Sequence, residues 1–263
     1  MNKIAINTLG DELEKSADYC RSKGLGIEYT DFAFPWILNG DIGDRINRHS
    51  ETIAGISPLI SHGPFFDLVT TSPDSAITTV ARQRHDMALT ATAKIGASFY
   101  IAHTNFNPLI RDPSYRKKWK ARMLDFWLPL ADDAGKANIV ICLENVWEPV
   151  PDIQAELIAS GNHPHLQASF DNGHVLVFSD VPSSDWIKTL GSMITHCHFH
   201  DNNGELDQHK PIGEGIENWD ALTSAIKEHS PQAILVMESD SLYNNKLSIG
   251  RLKEFWDIKK GIR

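Results

Sequence analysis

The sequence has little cysteine, no long apolar stretch and no surplus of positive charge. Its three cysteines (Cys20, Cys142 and Cys197) among 263 residues are odd in number and irregularly spaced. That argues against a disulfide framework and predicts a reducing, cytoplasmic setting. Apolar runs such as IVICL at 139–143 fall far short of the ~20 residues that cross a bilayer, so no membrane partner is expected. The opening residues, MNKIAINTLG, lack the basic start and long apolar stretch of a secretory leader. Lys and Arg number 25 against 34 Asp and Glu, a net charge of −9. An acidic chain is poorly matched to a phosphate backbone, which makes nucleic acid the less favoured ligand. No Pro-, Ser- or Gly-rich linker interrupts the chain, and one domain over residues 1–263 is the simplest organisation. Gly24-Leu25-Gly26 precedes a strand rather than following one, the wrong order for a dinucleotide-binding turn, so no nucleotide cofactor is expected. Histidine, by contrast, is plentiful, with twelve residues.

Short runs rich in β-branched and aromatic residues recur along the whole chain and predict strands over 3–8, 27–31, 58–62, 98–103, 139–144, 166–171, 194–200 and 234–238. Segments with apolar spacing near 3.6 lie between them. The pattern predicts helices over 11–23, 75–95, 114–134, 219–229 and 245–260, the first ended by Gly24. Eight strands alternating with about as many helices in 263 residues predict an α/β fold, a single (β/α)8 TIM barrel. A doubly wound open sheet is the alternative.

The ionisable residues fall at the strand ends. The third strand ends in His62, the fourth in His103, the fifth in Glu144, the sixth in Asp171 and the eighth in Glu238. The seventh carries His196, His198 and His200 two apart, on one face. In a closed barrel these ends converge on one mouth, where active sites of this fold lie. His174, Asp207 and His209 follow in loops. Alone, each would read as a solvated histidine or a helix cap. Six successive strands delivering such groups to one volume call for a cation, because unpaired buried charge is costly. Nitrogen and oxygen ligands without thiolate suit Zn, Mn or Fe(II). His196 lies one layer deeper and reads as a hydrogen-bonded core group, and Cys142 as a small buried hydrophobe. His200 reads as a substrate contact or a neighbour of the ligands, Arg111 at the start of a basic run as an attractor of anions, and Trp36 as an apolar wall for the substrate.

The motifs Ser61-His62-Gly63-Pro64-Phe65, Leu143-Glu144-Asn145, Asp171-Asn172-Gly173-His174, His198-Phe199-His200-Asp201-Asn202, Asp207-Gln208-His209 and Met237-Glu238 together resemble the xylose isomerase-like TIM barrels. That superfamily holds sugar and sugar-phosphate isomerases and epimerases and endonuclease IV (apurinic endonuclease family 2). The resemblance to the epimerases implies one ion held by Glu144, Asp171, His198 and Glu238, with the two glutamates exchanging the substrate proton through a metal-stabilised enediolate. The resemblance to endonuclease IV implies a trinuclear cluster on His62, His103, Glu144, Asp171, His174, His198, Asp207, His209 and Glu238. One to three ions per chain follow. The chain differs from the simple ketose epimerases at Gly204, where they carry an arginine, and from the nuclease at Phe65-Phe66-Asp67-Leu68, where it carries duplex-probing residues. The reading is a metal-dependent isomerase or epimerase of a small sugar or sugar phosphate, with Glu144 and Glu238 catalytic. A metal-dependent phosphoester hydrolase of the endonuclease IV type is the alternative. Oligomeric state is not written in these patterns.

Overall fold

A computed structural model describes residues 3–8 and 10–257. Strands β1 (Ile4–Thr8), β2 (Gly26–Tyr29), β3 (Leu59–His62), β4 (Phe99–His103), β5 (Val140–Glu144), β6 (Leu166–Asp171), β7 (Ile194–Phe199) and β8 (Ile234–Met237) are all parallel, and β1 pairs with β8. That pairing closes a (β/α)8 barrel and excludes the open sheet. Every predicted strand is present. β2 stops at Tyr29 instead of residue 31 because Asp31 opens a 3-10 turn, and β7 stops at Phe199. The backbone N–H of His200 leaves the ladder for the Asn172 side-chain oxygen.

The helices are α1 (Leu13–Lys23), α2 (Pro35–Leu38), α3 (Ile42–Ile53), α4 (Ser75–Lys94), α5 (Tyr115–Lys136), α6 (Asp152–Gly161), α7 (Asn172–Phe178), α8 (Ser183–Leu190), α9 (Trp219–His229) and α10 (Leu242–Asp257). Gly24 adopts the left-handed conformation, φ 63°, that ends α1 as expected. Two helices instead of one follow β2, with the Asp41 carboxylate capping α3 through the Asp44 N–H. Residues 258–260 of the predicted last helix lie outside the described residues. None of the described helices is long and apolar enough to cross a membrane.

Strand alternation divides the side chains into two sets. Outward residues such as Ile27, Tyr29, Leu143, Phe170 and Phe199 are buried beneath the helices. Inward residues Ala5, Ile60, Ile101, Cys142, Ile234 and Val236 fill the lower barrel. Two residues further along each strand the inward positions turn polar, as in the steps Ile60 to His62, Cys142 to Glu144 and Val236 to Glu238. An apolar plug therefore supports a polar layer at the C-terminal mouth.

The start of β2 fits tightly against its neighbour. A Cβ on Gly26 would stand 2.5 Å from the Pro58 carbonyl oxygen and 2.6 Å from the proline ring. Backbone cannot yield as a flexible side chain does, so Gly26→Ala should destabilise the fold by about 1–3 kcal/mol, read as a lowered Tm.

Candidate functional site

A cavity of about 410 Å³ opens at the mouth, and His62, His103, Glu144, His174, Asp207, His209 and Glu238 line it with Phe34 and Phe65. Asp171 and His198 lie fully buried at its floor. Glu144 is central: its Oε1 is 3.3 Å from His198 Nδ1 and 3.4 Å from His174 Nδ1, and its Oε2 is 3.5 Å from His62 Nε2 and 3.8 Å from His103 Nε2. Asp207 Oδ2 is 3.4 Å from His174 Nε2 and 3.1 Å from His209 Nε2. Glu238 Oε2 is 3.4 Å from His198 Nδ1 and 3.8 Å from His209 Nδ1. All nine residues predicted as ligands are thus drawn into one array.

Local hydrogen bonds aim these groups. Asp171 caps α7 by accepting from the His174 N–H at 2.8 Å, which fixes where His174 enters the site. The Asn145 side chain accepts from the Asp171 N–H and donates to the Asp171 carbonyl, tying the ends of β5 and β6. His174 Nδ1 donates to the Asn145 carbonyl at 2.8 Å and His62 Nδ1 to the Gly63 carbonyl at 2.8 Å. In the neutral rings both Nε2 lone pairs then face the array. Asp207 and His209 come from the β7–α9 loop, which Asp201 fastens. Its backbone pairs with Lys210 at 2.8 Å in both directions. Its carboxylate accepts from the Gly213 and Glu217 N–H groups and from the Trp219 indole.

His198 meets three carboxylates through one nitrogen. Its Nδ1 stands 3.3, 3.6 and 3.4 Å from Glu144, Asp171 and Glu238 and has no hydrogen-bond partner. Glu144 Oε2 is also buried without one. Either a proton or a cation resolves such an arrangement. Burial would raise the Glu144 carboxyl, but the His198, His62 and His103 imidazoles hold it well below the usual carboxylate range. Burial would lower His198, yet Glu238, Glu28 and Glu144 push it well up. Burial prevails at His103, bringing it down to about 3. At His209 burial is overcome by Glu238 and Asp207, which push it up to about 9. Among the described residues, four sets each bring their ligand atoms within 4.8 Å of one another: Glu28, His196 and His198; His62, His103 and Glu144; Glu144, Asp171 and His198; His200, His209 and Glu238. Imidazole and carboxylate without thiolate are the donors of a Zn, Mn or Fe(II) site, and the unpartnered Nδ1 fits an ion.

The substrate-contact expectations divide. His200 is fully buried inside the array, stacked on His209 with ring centroids 4.0 Å apart and its Nε2 3.3 Å from Asp171. Trp36 is 62% exposed at the rim, stacked at 4.8 Å on Phe34, whose ring lines the cavity. Arg111 does not line the cavity: it is exposed in the loop that leads out to α5. The basic run beyond it turns to α6, where Arg116 and Lys120 pair with Glu156. His196 is a hydrogen-bonded core group as expected, between Ser169 and Glu28. Glu28 itself went unseen in the sequence because it lies mid-strand, although its place between outward Ile27 and Tyr29 marks it as inward. Asn7, a further cavity residue, accepts from the Ser239 N–H and the Asn245 amide.

The raised imidazoles set a pH dependence for the metal-free protein. A group whose folded pKa is raised stabilises the fold below its ordinary value, ~6.5 for histidine, and that stabilisation is lost as pH climbs through the folded value. The Tm of EDTA-treated protein should therefore fall between about pH 6.5 and the His209 value of about 9. Thermal melts across that range check it.

The chain matches the xylose isomerase-like TIM barrel family over residues 26–256. An uncharacterised protein of Methanocaldococcus jannaschii is 23% identical over 207 residues, 76% of this chain and 70% of its own length. A Thermus thermophilus protein, solved from a crystal soaked with ZnCl2, superposes with a TM-score of 0.80 at 21% identity, covering 100% of this chain and 99% of its own. A D-tagatose 3-epimerase-like protein superposes with a TM-score of 0.77 at 19% identity, covering 98% of each chain. With its match running from β2 into α10, the chain belongs to the xylose isomerase-like TIM barrel family.

Proposed function

We propose that the protein is a divalent-metal-dependent isomerase or epimerase of a small sugar. The observation that carries this reading is the buried His198 Nδ1 atom, which faces Glu144, Asp171 and Glu238 at 3.3–3.6 Å with no hydrogen-bond partner among the described residues. These four residues would hold one ion, and His62, His103, His174, Asp207 and His209 would extend the site to as many as three. A divalent ion supplies Lewis-acid polarisation of adjacent carbonyl and hydroxyl oxygens, worth several kcal/mol of barrier.

The chain's own groups would do the rest. Glu144 and Glu238 approach His198 Nδ1 at 3.3 and 3.4 Å, and both line the cavity. One removes the carbon-bound proton and the other returns it. The imidazoles around Glu144 keep it ionised, the state a base needs. Phe34, continued outward by Trp36, gives an apolar face against which C–H groups of a sugar pack. No Lys or Arg is among the described residues that line the cavity, so a phosphate on the substrate would find imidazoles but no ammonium or guanidinium group there. That favours an unphosphorylated sugar. The epimerase-like neighbour in fold is in keeping with this reading.

A second reading, hydrolysis of a phosphoester, draws on the completeness of the nine-residue array, with the His174, Asp207 and His209 group beside Glu144. The bare mouth and the outward-facing basic run of α5 count against a nucleic-acid substrate.

Metal analysis together with solvent deuterium exchange tests both. Mn- or Zn-loaded protein should wash deuterium into the carbon beside the carbonyl of a ketose, and Glu238→Gln should slow this by 10²-fold or more even with enough Mn or Zn added to keep the variant loaded. Incision of an abasic duplex without any exchange in a panel of ketoses and aldoses would reverse the order of the two readings.

A further inference from the structure

Glu28 stands outside the nine-residue array at the mouth; it is a fully buried carboxylate in the barrel interior, clustered with His196 and His198. It projects from β2 beneath the ligand layer and reaches β7, which is separated from β2 by β1 and β8. Its Oε1 is 3.0 Å and its Oε2 3.1 Å from His198 Nε2, and Oε2 is 2.9 Å from His196 Nε2. His196 Nδ1 is in turn 2.8 Å from Ser169 Oγ.

Donor bookkeeping settles the protons. An ionised carboxylate only accepts, so both Nε2 atoms carry hydrogen. The Ser169 hydroxyl then donates to His196 Nδ1, and the proton of a neutral His198 ring is committed downward to Glu28. What remains on His198 is the Nδ1 lone pair, the atom that faces Glu144, Asp171 and Glu238 and has no partner among the described residues. Taking a carboxylate out of water costs several kcal/mol, and among the described residues no Lys or Arg side chain makes a hydrogen bond or ion pair with Glu28. Its two polar contacts beyond the backbone are both imidazoles of one strand face.

We infer that Glu28 is the positioning residue of the site: its hydrogen bond fixes the tautomer and ring plane of His198, and its negative charge raises the basicity of the Nδ1 thus presented to a divalent ion. This rests on the metal-dependent reading above. Carboxylate partners of this kind raise the basicity of a ligating imidazole, and losing one typically weakens metal binding 10–100-fold.

Glu28→Gln is the informative variant because the amide keeps the shape and leaves the network satisfiable. Its oxygen accepts from His198 while its NH2 donates to His196 Nε2, whose proton moves to Nδ1 and is accepted by Ser169. The metal-free variant should keep its Tm, its dissociation constant for Zn or Mn should rise 10–100-fold, and the visible spectrum of its Co(II) form should shift. Ser169→Ala, which cuts the far end of the chain but spares the Glu28–His198 bond, should bind metal as the wild type does. Equal affinity and an unshifted Co(II) spectrum in Glu28→Gln, beside a metal-binding wild type, would overturn the role of Glu28 alone. So would Ser169→Ala weakening metal binding as much as Glu28→Gln. A wild type that takes up no divalent ion would overturn the metal reading and this one together. Should Glu28→Gln fail to fold, ¹⁵N spectra of the Zn-loaded wild type decide the matter: a proton on His198 Nε2 supports the assignment, and one on Nδ1 ends it.

Discussion

Acceptor facing acceptor is the constraint around which this molecule is arranged. Glu144, Asp171, Glu238 and a histidine lone pair cannot share a dry space by themselves, and each further carboxylate adds to the repulsion. In the metal-free chain protons answer that demand: the His198 imidazole is pushed up and the Glu144 carboxyl down, each by its neighbours. Metal uptake would exchange those protons for ions, because the same atoms serve both. The barrel supplies what such a cluster needs, a buried floor in which apolar side chains surround the Glu28, His196 and Ser169 chain, and a ring of strand ends.

The rigidity is graded. Residues on β3, β4, β5 and β6 are anchored by the ladder, and Asn145 adds a brace between β5 and β6. His174 takes its place from the cap that Asp171 provides, so one carboxylate both starts a helix and belongs to the array. His200 is admitted by a missing side chain, since a Cβ on Gly173 would lie 1.8 Å from its ring.

Much of this was legible in the sequence because the barrel repeats one unit. β3, β4, β5 and β6 end, and β8 is directly followed, where the apolar alternation meets a histidine or an acid, so His62, His103, Glu144, Asp171 and Glu238 could be placed without coordinates. His174, Asp207 and His209 were legible through the resemblance and its motifs. Glu28 escaped because the reading followed strand ends, whereas its contribution depends on reaching two strands across the interior, a relation that local spacing does not encode. Arg111 misled for the opposite reason. It follows a strand closely enough to suggest the mouth, but its loop carries it outward before α5 begins. The doublet of helices after β2 was hidden because α2 has only the four residues Pro35–Leu38, too few for any periodicity to register.

The Asp201 latch divides the array by provenance. Six of the nine candidate ligands ride on strands or on the helix that Asp171 begins and Glu238 directly follows β8, whereas Asp207 and His209 hang from a single excursion held by one carboxylate and one backbone bridge. Shortening that excursion would leave Glu144, Asp171, His198 and Glu238 where they are. The scaffold therefore separates a core group of candidate ligands from a detachable annex, so on the proposed metal-dependent reading the number of ions could change through loop exchange while the floor stays intact.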